Sequence, residues 1–464
     1  MLGRRRDQHR PFSYVLTMLR PIRSRWEHTF VFDDFPDSPD NDEIDPIFEA
    51  GFLCAPLVTH PSNWINRRVE TVEMLSHEET RRRVSVDFTL PANREEWPET
   101  PEGVAVPISV LTKQRRRNFD LRDASGSALP VLGRRQNSMM THAALFASAL
   151  SAIDSDRLSD DHVGLLAEQL WGVVTEPAIS AFEVAGALME AAHSDQGWLQ
   201  PLFDDNAFLE LFSSIAGGYI LFAVIPSPEM RRHIVKFSYG DDFDFSDRLR
   251  EPRWHLHGLL DWIRTPDGQR FIIDNEVSHW AESFHLEIAI PEELRIRAAV
   301  LFEETEAGPE SVGDPELNVD RASLYAPAGH DANVDAALVE LIPERSGQIV
   351  QRFSIGLLVT ATLLLGSFVG FDQGTSDAAV SILLVGAALF SGVSASAGRH
   401  ILVTKVFTGA RKATMLVAIA AVIGALSLTL DLSAATRSNI WLAGGTLALM
   451  ATARLALATI RAAR

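Results

Sequence analysis

The residues best suited to chemistry are two histidines and two carboxylates in one polar stretch of the chain. His255 and His257 are two residues apart, and so are Asp274 and Glu276. On a β-strand, residues two apart project to the same face, so each pair would present two metal-ligating side chains together. The sequence therefore predicts a candidate metal site at these four residues. The alternative is that they are solvent-facing positions of a sheet that follows an acidic loop.

The single cysteine offers a second kind of chemistry. Cys54 and His60 would form a nucleophile and base if the fold brought them together, but the apolar neighbours of Cys54 favour a buried, inert thiol. The sequence has no Walker A motif, no dinucleotide-binding glycine motif, no His-Glu-x-x-His and no Gly-x-Ser-x-Gly. We therefore expect a protein without enzymatic activity and without a cofactor.

Composition restricts the partners and divides the chain. The protein has 464 residues and a formal net charge of −19, and this acidity argues against nucleic acid as a partner. One cysteine excludes an intramolecular disulfide. The acidity is uneven, because residues 1–343 carry a net charge of −25 and residues 344–464 a net charge of +6. Hydropathy changes at the same place, which indicates two parts of different kind.

The C-terminal part contains four long apolar stretches separated by short loops. Each is close to the roughly 20 residues that a helix needs to cross a bilayer. Within them the chain is almost uncharged. The sequence therefore predicts a four-helix transmembrane bundle, with spans at about 353–371, 378–397, 413–430 and 440–459.

The charges of the loops predict an orientation. Basic residues precede the first span, fill the second loop and follow the last span, whereas the first loop has two acids and no base. Lys and Arg are retained on the cytoplasmic side of a membrane. We therefore expect a multi-pass protein of the cell (inner) membrane with both termini cytoplasmic, and with the large acidic part in the cytosol.

The predicted spans are rich in Gly, Ala and Ser, which allow helices to approach closely. Such residues serve packing within one chain or assembly of a homo-oligomer, and an oligomer could enclose a pore. No span has a central Asp, Glu, Lys or His, and Arg454 lies near the end of the fourth. This argues against an ion-coupled transporter. It does not argue against a passive pore, which needs no charged residue within the spans.

The N-terminal part is predicted to be α+β, with two antiparallel β units around a helical block. The alternation of polar and apolar residues predicts strands, and spacings of three and four predict helices at 138–153, 159–174, 178–193 and 206–216. We expect an acidic, solvated loop at 303–320. The expected domains are a basic arm and acidic loop at 1–64, a first β unit at 65–135, a helical block at 136–217, a second, sandwich-like β unit at 218–342, and the membrane helices at 343–464.

The layout has a resemblance that rests on the stretches 283–290 and 322–326 together with the first apolar span. With these features, the chain resembles uncharacterised multi-span membrane proteins of high-GC bacteria. The use of 38 arginines and only four lysines agrees with a GC-rich genome. The resemblance implies the membrane layout, and it implies no activity and no site residues.

Three functional hypotheses follow, each with its own partners. The first is a membrane-anchored cytosolic sensor or interaction protein, whose partners are the lipid bilayer and a cytosolic protein or small-molecule ligand. The second is an oligomeric channel or membrane-perturbing effector gated by its cytosolic region. The third is a metal-dependent enzyme that uses the cluster at 255–285. The missing motifs and the uncharged spans favour the first.

Overall fold

We describe the protein from a computed structural model. The residues that the structure describes are 45–75, 79–153, 158–193, 197–226, 228–242, 269–274, 280–305, 308–312, 315–317, 321–326, 336–344, 347–369, 380–382, 384–389, 401–430 and 432–462.

The described chain begins with a helix, continues with strands, a helical block and more strands, and ends with helices. Helices α1 to α10 are Pro46–Thr59, Arg134–Ala152, Asp160–Thr175, Ala178–His193, Gln200–Asp204, Asn206–Gly217, Gly347–Val369, Ile401–Val406, Thr408–Thr429 and Ala434–Ala462. Strands β1 to β14 are Ile65–Met74, Glu79–Thr89, Glu99–Thr100, Gly103–Thr112, Arg117–Asp123, Gly218–Ile225, Arg232–Asp242, Gln269–Asp274, Ser283–Ala289, Leu294–Thr305, Gly308–Val312, Pro315–Leu317, Arg321–Ala326 and Ala336–Pro343.

Local sequence explains where several of these elements begin. The Asp45 carboxylate accepts a hydrogen bond from the Ile47 N–H at 2.9 Å, and Pro46 occupies the first helical position of α1. Ser159 caps α3 through the His162 N–H at 3.3 Å, as its sequence predicts. In β9, residues alternate between buried and half-buried, which confirms the predicted period of two.

Within the described residues, the strands form three sheets. The large sheet has the order β12-β13-β9-β1-β2-β7-β5, the four-stranded sheet has the order β11-β10-β14-β8, and the three-stranded sheet has the order β3-β4-β6. All neighbours are antiparallel except β1 and β9, which are parallel.

This pairing corrects the expectation of two separate antiparallel β units. Strand β2 pairs with β7, β4 pairs with β6, and β1 pairs with β9, so strands from before and after the helical block share sheets. The hydrophobic period identifies a strand but not its partner, and the partners here lie more than a hundred residues apart in the chain. The α and β regions are therefore one mixed architecture rather than a series of independent units.

Two segments that we expected to be irregular contain regular structure. Helix α1 lies within the predicted arm and loop at 1–64, and most of its residues are buried although Pro56 interrupts its hydrogen bonding. Strands β11 and β12 lie within the predicted acidic loop at 303–320, where β11 pairs with β10 and β12 with β13. In both cases tertiary packing outweighs a local sequence that is unfavourable.

Three described helices are long and apolar enough to cross a membrane, which indicates a membrane protein. They are Ile349–Phe368, Thr408–Thr429 and Ala434–Ile460. The predicted second span, 378–397, lies mostly outside the described residues; its described portions, 380–382 and 384–389, are helical. The outer faces of the three helices are apolar and exposed, with large side chains such as Leu357, Leu365, Phe368, Ile419, Leu426 and Leu449.

The buried side chains form two hydrophobic cores. The first core lies among α1 to α6, the three-stranded sheet and strands β2 and β7. The second core begins at Val72 and Met74 of β1, includes β9, β13 and the four-stranded sheet, and continues into the membrane helices. The mixed region is thus joined to the membrane helices by shared packing as well as by the chain.

Candidate functional site: a buried ionic network between two cores

Three of the four predicted metal ligands lie outside the described residues. These are His255, His257 and Glu276. Asp274 is the last residue of β8, where its backbone lies opposite Ala336 of β14. The metal site therefore stays a prediction. Among the side chains that the structure describes, no group of three or more His, Cys, Asp or Glu is placed to hold a metal ion.

The other described members of that polar stretch lie apart from one another. His285 is on β9 of the large sheet, and its ring centroid is 4.4 Å from that of Tyr325. Partial burial, with the nearby charge of Arg67, lowers the pKa of His285. Asp274 belongs to the four-stranded sheet, and Asp241 faces arginines at the inner side of the large sheet. Closeness in sequence therefore did not place these residues together.

Cys54 is a core residue, as its neighbours predict. It is fully buried on α1, and its thiol lies 3.7 Å from the Ala105 carbonyl oxygen. Burial raises the pKa of this thiol well above its ordinary value. His60 is exposed, and its Nδ1 lies 3.0 Å from the Thr59 hydroxyl. Cys54 and His60 therefore do not form a nucleophile and base.

The most unusual group of side chains is a set of charges buried on the inner face of the large sheet. We call it the ionic network; its members are Arg68, Glu70, Arg82, Arg116 and Asp241. Glu70 receives Nη1 of Arg82 at 2.6 Å and Nη2 of Arg68 at 3.4 Å. Asp241 receives Nη1 of Arg116 at 2.6 Å and lies 3.9 Å from Nε of Arg82.

The pairing of three strands brings these residues together. Glu70 of β1 lies opposite Val84 of β2, so Arg82 is its diagonal neighbour on the same face. Arg82 lies opposite Tyr239 of β7, which makes Asp241 its diagonal neighbour on the other side. A run of alternating charge, from Glu70 to Arg82 to Asp241, therefore crosses the three strands obliquely.

Arginines at the two ends extend the ionic network to polar and aromatic neighbours. Arg68 donates to the Ser109 hydroxyl at 3.3 Å, and its guanidinium lies 5.9 Å from the centre of the Phe237 ring. Arg116 donates to the Thr112 hydroxyl and lies over the Tyr239 ring at 4.6 Å. Such contacts offset part of the free energy of removing guanidinium groups from water.

Electrostatics keep the Glu70 carboxylate charged. Burial alone would raise the pKa of Glu70, but the charges of Arg82 and Arg68 and their hydrogen bonds lower it below its ordinary value. Glu70 and Arg68 are only 3% and 2% exposed, so water does little to screen this attraction. The ion pairs are therefore strong, and removing either sign would leave an uncompensated buried charge.

The chemistry of the ionic network suits binding or coupling better than catalysis. Burial lowers the pKa of Arg68, although Glu70 opposes the effect, and burial raises the pKa of Tyr239, although Arg82 opposes it. These shifts leave the phenol neutral and the carboxylate ionised at neutral pH. Neither Glu70 nor Tyr239 is therefore poised to exchange a proton near pH 7, as general acid–base catalysis requires.

The ionic network lies between the two hydrophobic cores. On β1 the same inward face continues from Glu70 to Val72 and Met74, which belong to the second core. On the other side, Val84 and Phe237 belong to the first core. A polar layer therefore separates a core made within the α/β region from a core shared with the membrane helices.

No known protein-family model matches the sequence, and no curated protein is similar to it. The geometry of the described residues, above all the ionic network between the two cores, is therefore what any function of the protein must agree with.

The sequence contains a signal for this site at residues 68–74. The alternation of polar and apolar residues there predicts a half-buried strand. That prediction does not say whether the charged residues of the strand are buried. Arg68 and Glu70 are two residues apart and share a strand face with Val72 and Met74. Opposite charges on the face that continues as an apolar run indicate a buried pair.

Proposed function

We propose that the protein is a membrane-anchored sensor or interaction protein without enzymatic activity. In this proposal the α/β region binds a cytosolic protein or a small molecule, and its state is passed to the membrane helices. The observation that carries the proposal is the second core. Val339 and Leu341 of β14 are buried in the same cluster as Ile349 of α7 and Phe407 beside α9.

Close packing between the two parts supports coupling. Strand β14 ends at Pro343 and α7 begins at Gly347, so only a short connection separates sheet from membrane helix. Helix α8, Ile401–Val406, also contacts β14. A well-packed interior transmits displacement rather than absorbing it. A change in the large sheet would therefore reach the membrane helices through β9, β13 and the four-stranded sheet.

Hydrogen exchange of the full-length protein in lipid nanodiscs tests this coupling. Glu70→Gln removes the central negative charge of the ionic network. We expect faster exchange in β1 and β2 and also in β14 and α8. The matched control is Glu73→Gln, which removes an exposed ion pair to Arg83 on the outer face of the same strand. Coupling is refuted if the Glu70→Gln effect stops within the large sheet.

The absence of enzymatic activity has its own test. The full-length protein is screened in detergent against ester, phosphoester, peptide and glycoside substrates, with and without added Zn²⁺ or Mn²⁺. We expect no turnover above that of the heat-inactivated protein. Metal-dependent turnover that is lost in His255→Ala and His257→Ala would favour the metal-dependent enzyme instead.

The proposed topology is four spans with both termini in the cytoplasm. The basic loops support it, and three described helices are apolar enough to span. Span number and orientation are linked, because an even number places both termini on the same side. Reporter fusions active only in the periplasm, placed at each terminus, should both be inactive. Activity at one terminus alone would indicate an odd number of spans.

The channel hypothesis has less support from the described helices. A Cβ on Gly445 would lie 2.7 Å from Leu364 Cδ2, and one on Gly356 would lie 2.8 Å from Thr452 Oγ1. These small residues serve packing within one chain, which leaves fewer of them for assembly between chains. Dye or ion flux from liposomes containing the purified protein would favour the channel.

A further inference from the structure

Helix α4 carries large apolar side chains on the side that faces away from the first core. Its inner residues Ala181, Ala185 and Leu188 are buried, and the helix packs against α3, α5 and α6. On the opposite side, Ile179 is 79% exposed and Phe182 is 54% exposed. Single exposed apolar residues are common, but two large ones that are neighbours on one helix face indicate a surface that another segment covers.

The charges around these two side chains are all negative. Glu183 and Glu190 are exposed and follow Ile179 by four and eleven residues, so they lie on the same side of the helix. We call Ile179, Phe182, Glu183 and Glu190 the α4 face. Residues 158–217, which contain α3 to α6, include ten Asp and Glu and no Lys or Arg. A segment that covers the α4 face therefore has to combine apolar side chains with positive charge.

The first residues of the chain have this composition. Residues 1–26, which we call the N-terminal segment, lie outside the described residues; their sequence contains seven arginines and one acid, Asp7. Among its larger apolar residues are Phe12, Tyr14, Leu16, Met18 and Leu19. The N-terminal segment thus complements the α4 face in both charge and apolar character, in a protein that is acidic as a whole.

The connection to the described residues is long enough for this contact. Residues 27–44 join the N-terminal segment to Asp45, and a chain of that length spans up to ~60 Å when it is extended. Helix α1 begins at Pro46 and packs against α2 and α6, and α6 packs against α4. The described chain therefore begins in the same core on which the α4 face lies.

We propose that the N-terminal segment binds the α4 face of its own chain. Its apolar residues cover Ile179 and Phe182, and its arginines face Glu183 and Glu190. A single exposed ion pair contributes little, so binding depends on several arginines together with the apolar contact. This proposal goes beyond the function proposed above, and it depends neither on the membrane helices nor on coupling through the ionic network.

Photo-cross-linking of the full-length protein in phosphatidylcholine nanodiscs tests the proposal. The photoreactive residue p-benzoylphenylalanine replaces Phe182, and mass spectrometry identifies the products. We expect cross-links to residues 1–26. A mixture of isotope-labelled and unlabelled protein shows whether both halves of a product come from one chain. The control position is Tyr325, which is 41% exposed on β13 of the large sheet.

Three results would overturn the proposal. One is the absence of cross-links between position 182 and residues 1–26. Another is an equal yield of such cross-links from position 325. The third is a product that joins mainly labelled to unlabelled chains, which would assign the contact to a second copy of the protein.

A probe within the N-terminal segment tests whether it binds lipid instead. Arginine-rich segments also bind anionic headgroups, so p-benzoylphenylalanine replaces Phe12 and the nanodiscs contain phosphatidylglycerol. We expect products with α4 or α6. Products with lipid alone would place the N-terminal segment on the membrane surface and overturn the proposal.

Charge variants test the role of the α4 face directly. Glu183→Gln combined with Glu190→Gln should lower the cross-linked fraction roughly fivefold, because two exposed ion pairs are lost. High salt should lower the fraction for the unaltered protein in the same direction. The matched control is Glu95→Gln combined with Glu292→Gln, which removes two exposed acids outside the helical block and should leave the fraction unchanged. Equal fractions in the two double variants would contradict the proposal.

Discussion

Arginine is buried in two regions of this protein, and the surroundings differ. In the large sheet, Arg68 and Arg82 face the carboxylate of Glu70, and the positions are fixed by strand register. At the end of the membrane helices, Arg352 lies beside the Phe407 ring and near Arg411. The first region supplies its own anions from neighbouring strands. In the second, the described contact of the guanidinium is with an aromatic ring, and the sequences of helices α7 to α10 contain no Asp or Glu.

The difference shows how solvent determines what a buried charge needs. In a core that is surrounded by water, an unpaired charge opposes folding, so its counter-charge has to come from the chain itself. At the end of a helix that crosses a membrane, lipid headgroups supply further polar and charged groups, so this requirement is weaker there.

Removing the carboxylate at the centre of the ionic network should have the largest effect. Glu70→Gln keeps the size of the side chain but leaves Arg68 and Arg82 without their shared negative charge. We expect the free energy of unfolding to fall by about 3–5 kcal/mol. Urea denaturation of the full-length protein in detergent, followed by tryptophan fluorescence, measures it.

The control for that prediction lies three residues along the same strand. Glu73 pairs with Arg83 at 2.8 Å on the exposed face, and Glu73→Gln should change the free energy of unfolding by less than about 1 kcal/mol. Similar losses in the two variants would contradict the claim that burial makes the ionic network strong.

A buried histidine makes the stability of the first core depend on pH. His142 contacts the Ala167 carbonyl through Nε2 at 2.9 Å, and burial lowers its pKa to about 4. An unfolded histidine takes up a proton near pH 6.5, so stability is full above that pH and falls as pH decreases toward 4. Between pH 7 and pH 5 we expect the free energy of unfolding to fall by about 2 kcal/mol because of this residue.

Comparison with a variant isolates this contribution. His142→Phe should reduce the loss of stability between pH 7 and pH 5, because it removes the buried ring that titrates. Glu70 acts in a lower range, because its pKa is depressed and its stabilisation is lost only below its ordinary pKa of about 4.3. If the stability of His142→Phe depends on pH as that of the wild type does, the folded protein tolerates a protonated His142 ring and the prediction is wrong.

The sequence predicted local structure better than it predicted partners. Helix 178–193 has the predicted bounds, and the mixed α and β region followed by apolar helices is confirmed. Period and capping residues are local signals, which is why they succeed. The pairing of β1 with β9 depends on packing between segments about two hundred residues apart. For the same reason, the meeting of Glu70, Arg82 and Asp241 could not be predicted from any one segment.

Tight packing in the first core should make a single added methyl group destabilising. A Cβ on Gly51 of α1 would lie 2.6 Å from both Ala143 Cβ and the Met140 carbonyl oxygen of α2. Backbone atoms of a packed helix cannot move aside cheaply, so Gly51→Ala should lower the free energy of unfolding by about 1–3 kcal/mol. The control is Gly186→Ala, where nothing lies within 4 Å and the helix should gain about 0.5–1 kcal/mol. Thermal unfolding of both variants decides, and equal stability would refute the tight contact.

The same change in the membrane helices should have the smallest effect. A Cβ on Gly424 of α9 would lie 2.6 Å from Leu363 Cδ2, which is the end of a flexible side chain rather than backbone. Leu363 can rotate away, and alanine favours the helix, so the two effects nearly cancel and the stability of Gly424→Ala in nanodiscs should change by less than about 1 kcal/mol. A loss as large as that of Gly51→Ala would mean that the membrane helices are packed as rigidly as the first core. The contrast between the two regions would then lie in their charges alone, because packing would no longer distinguish them.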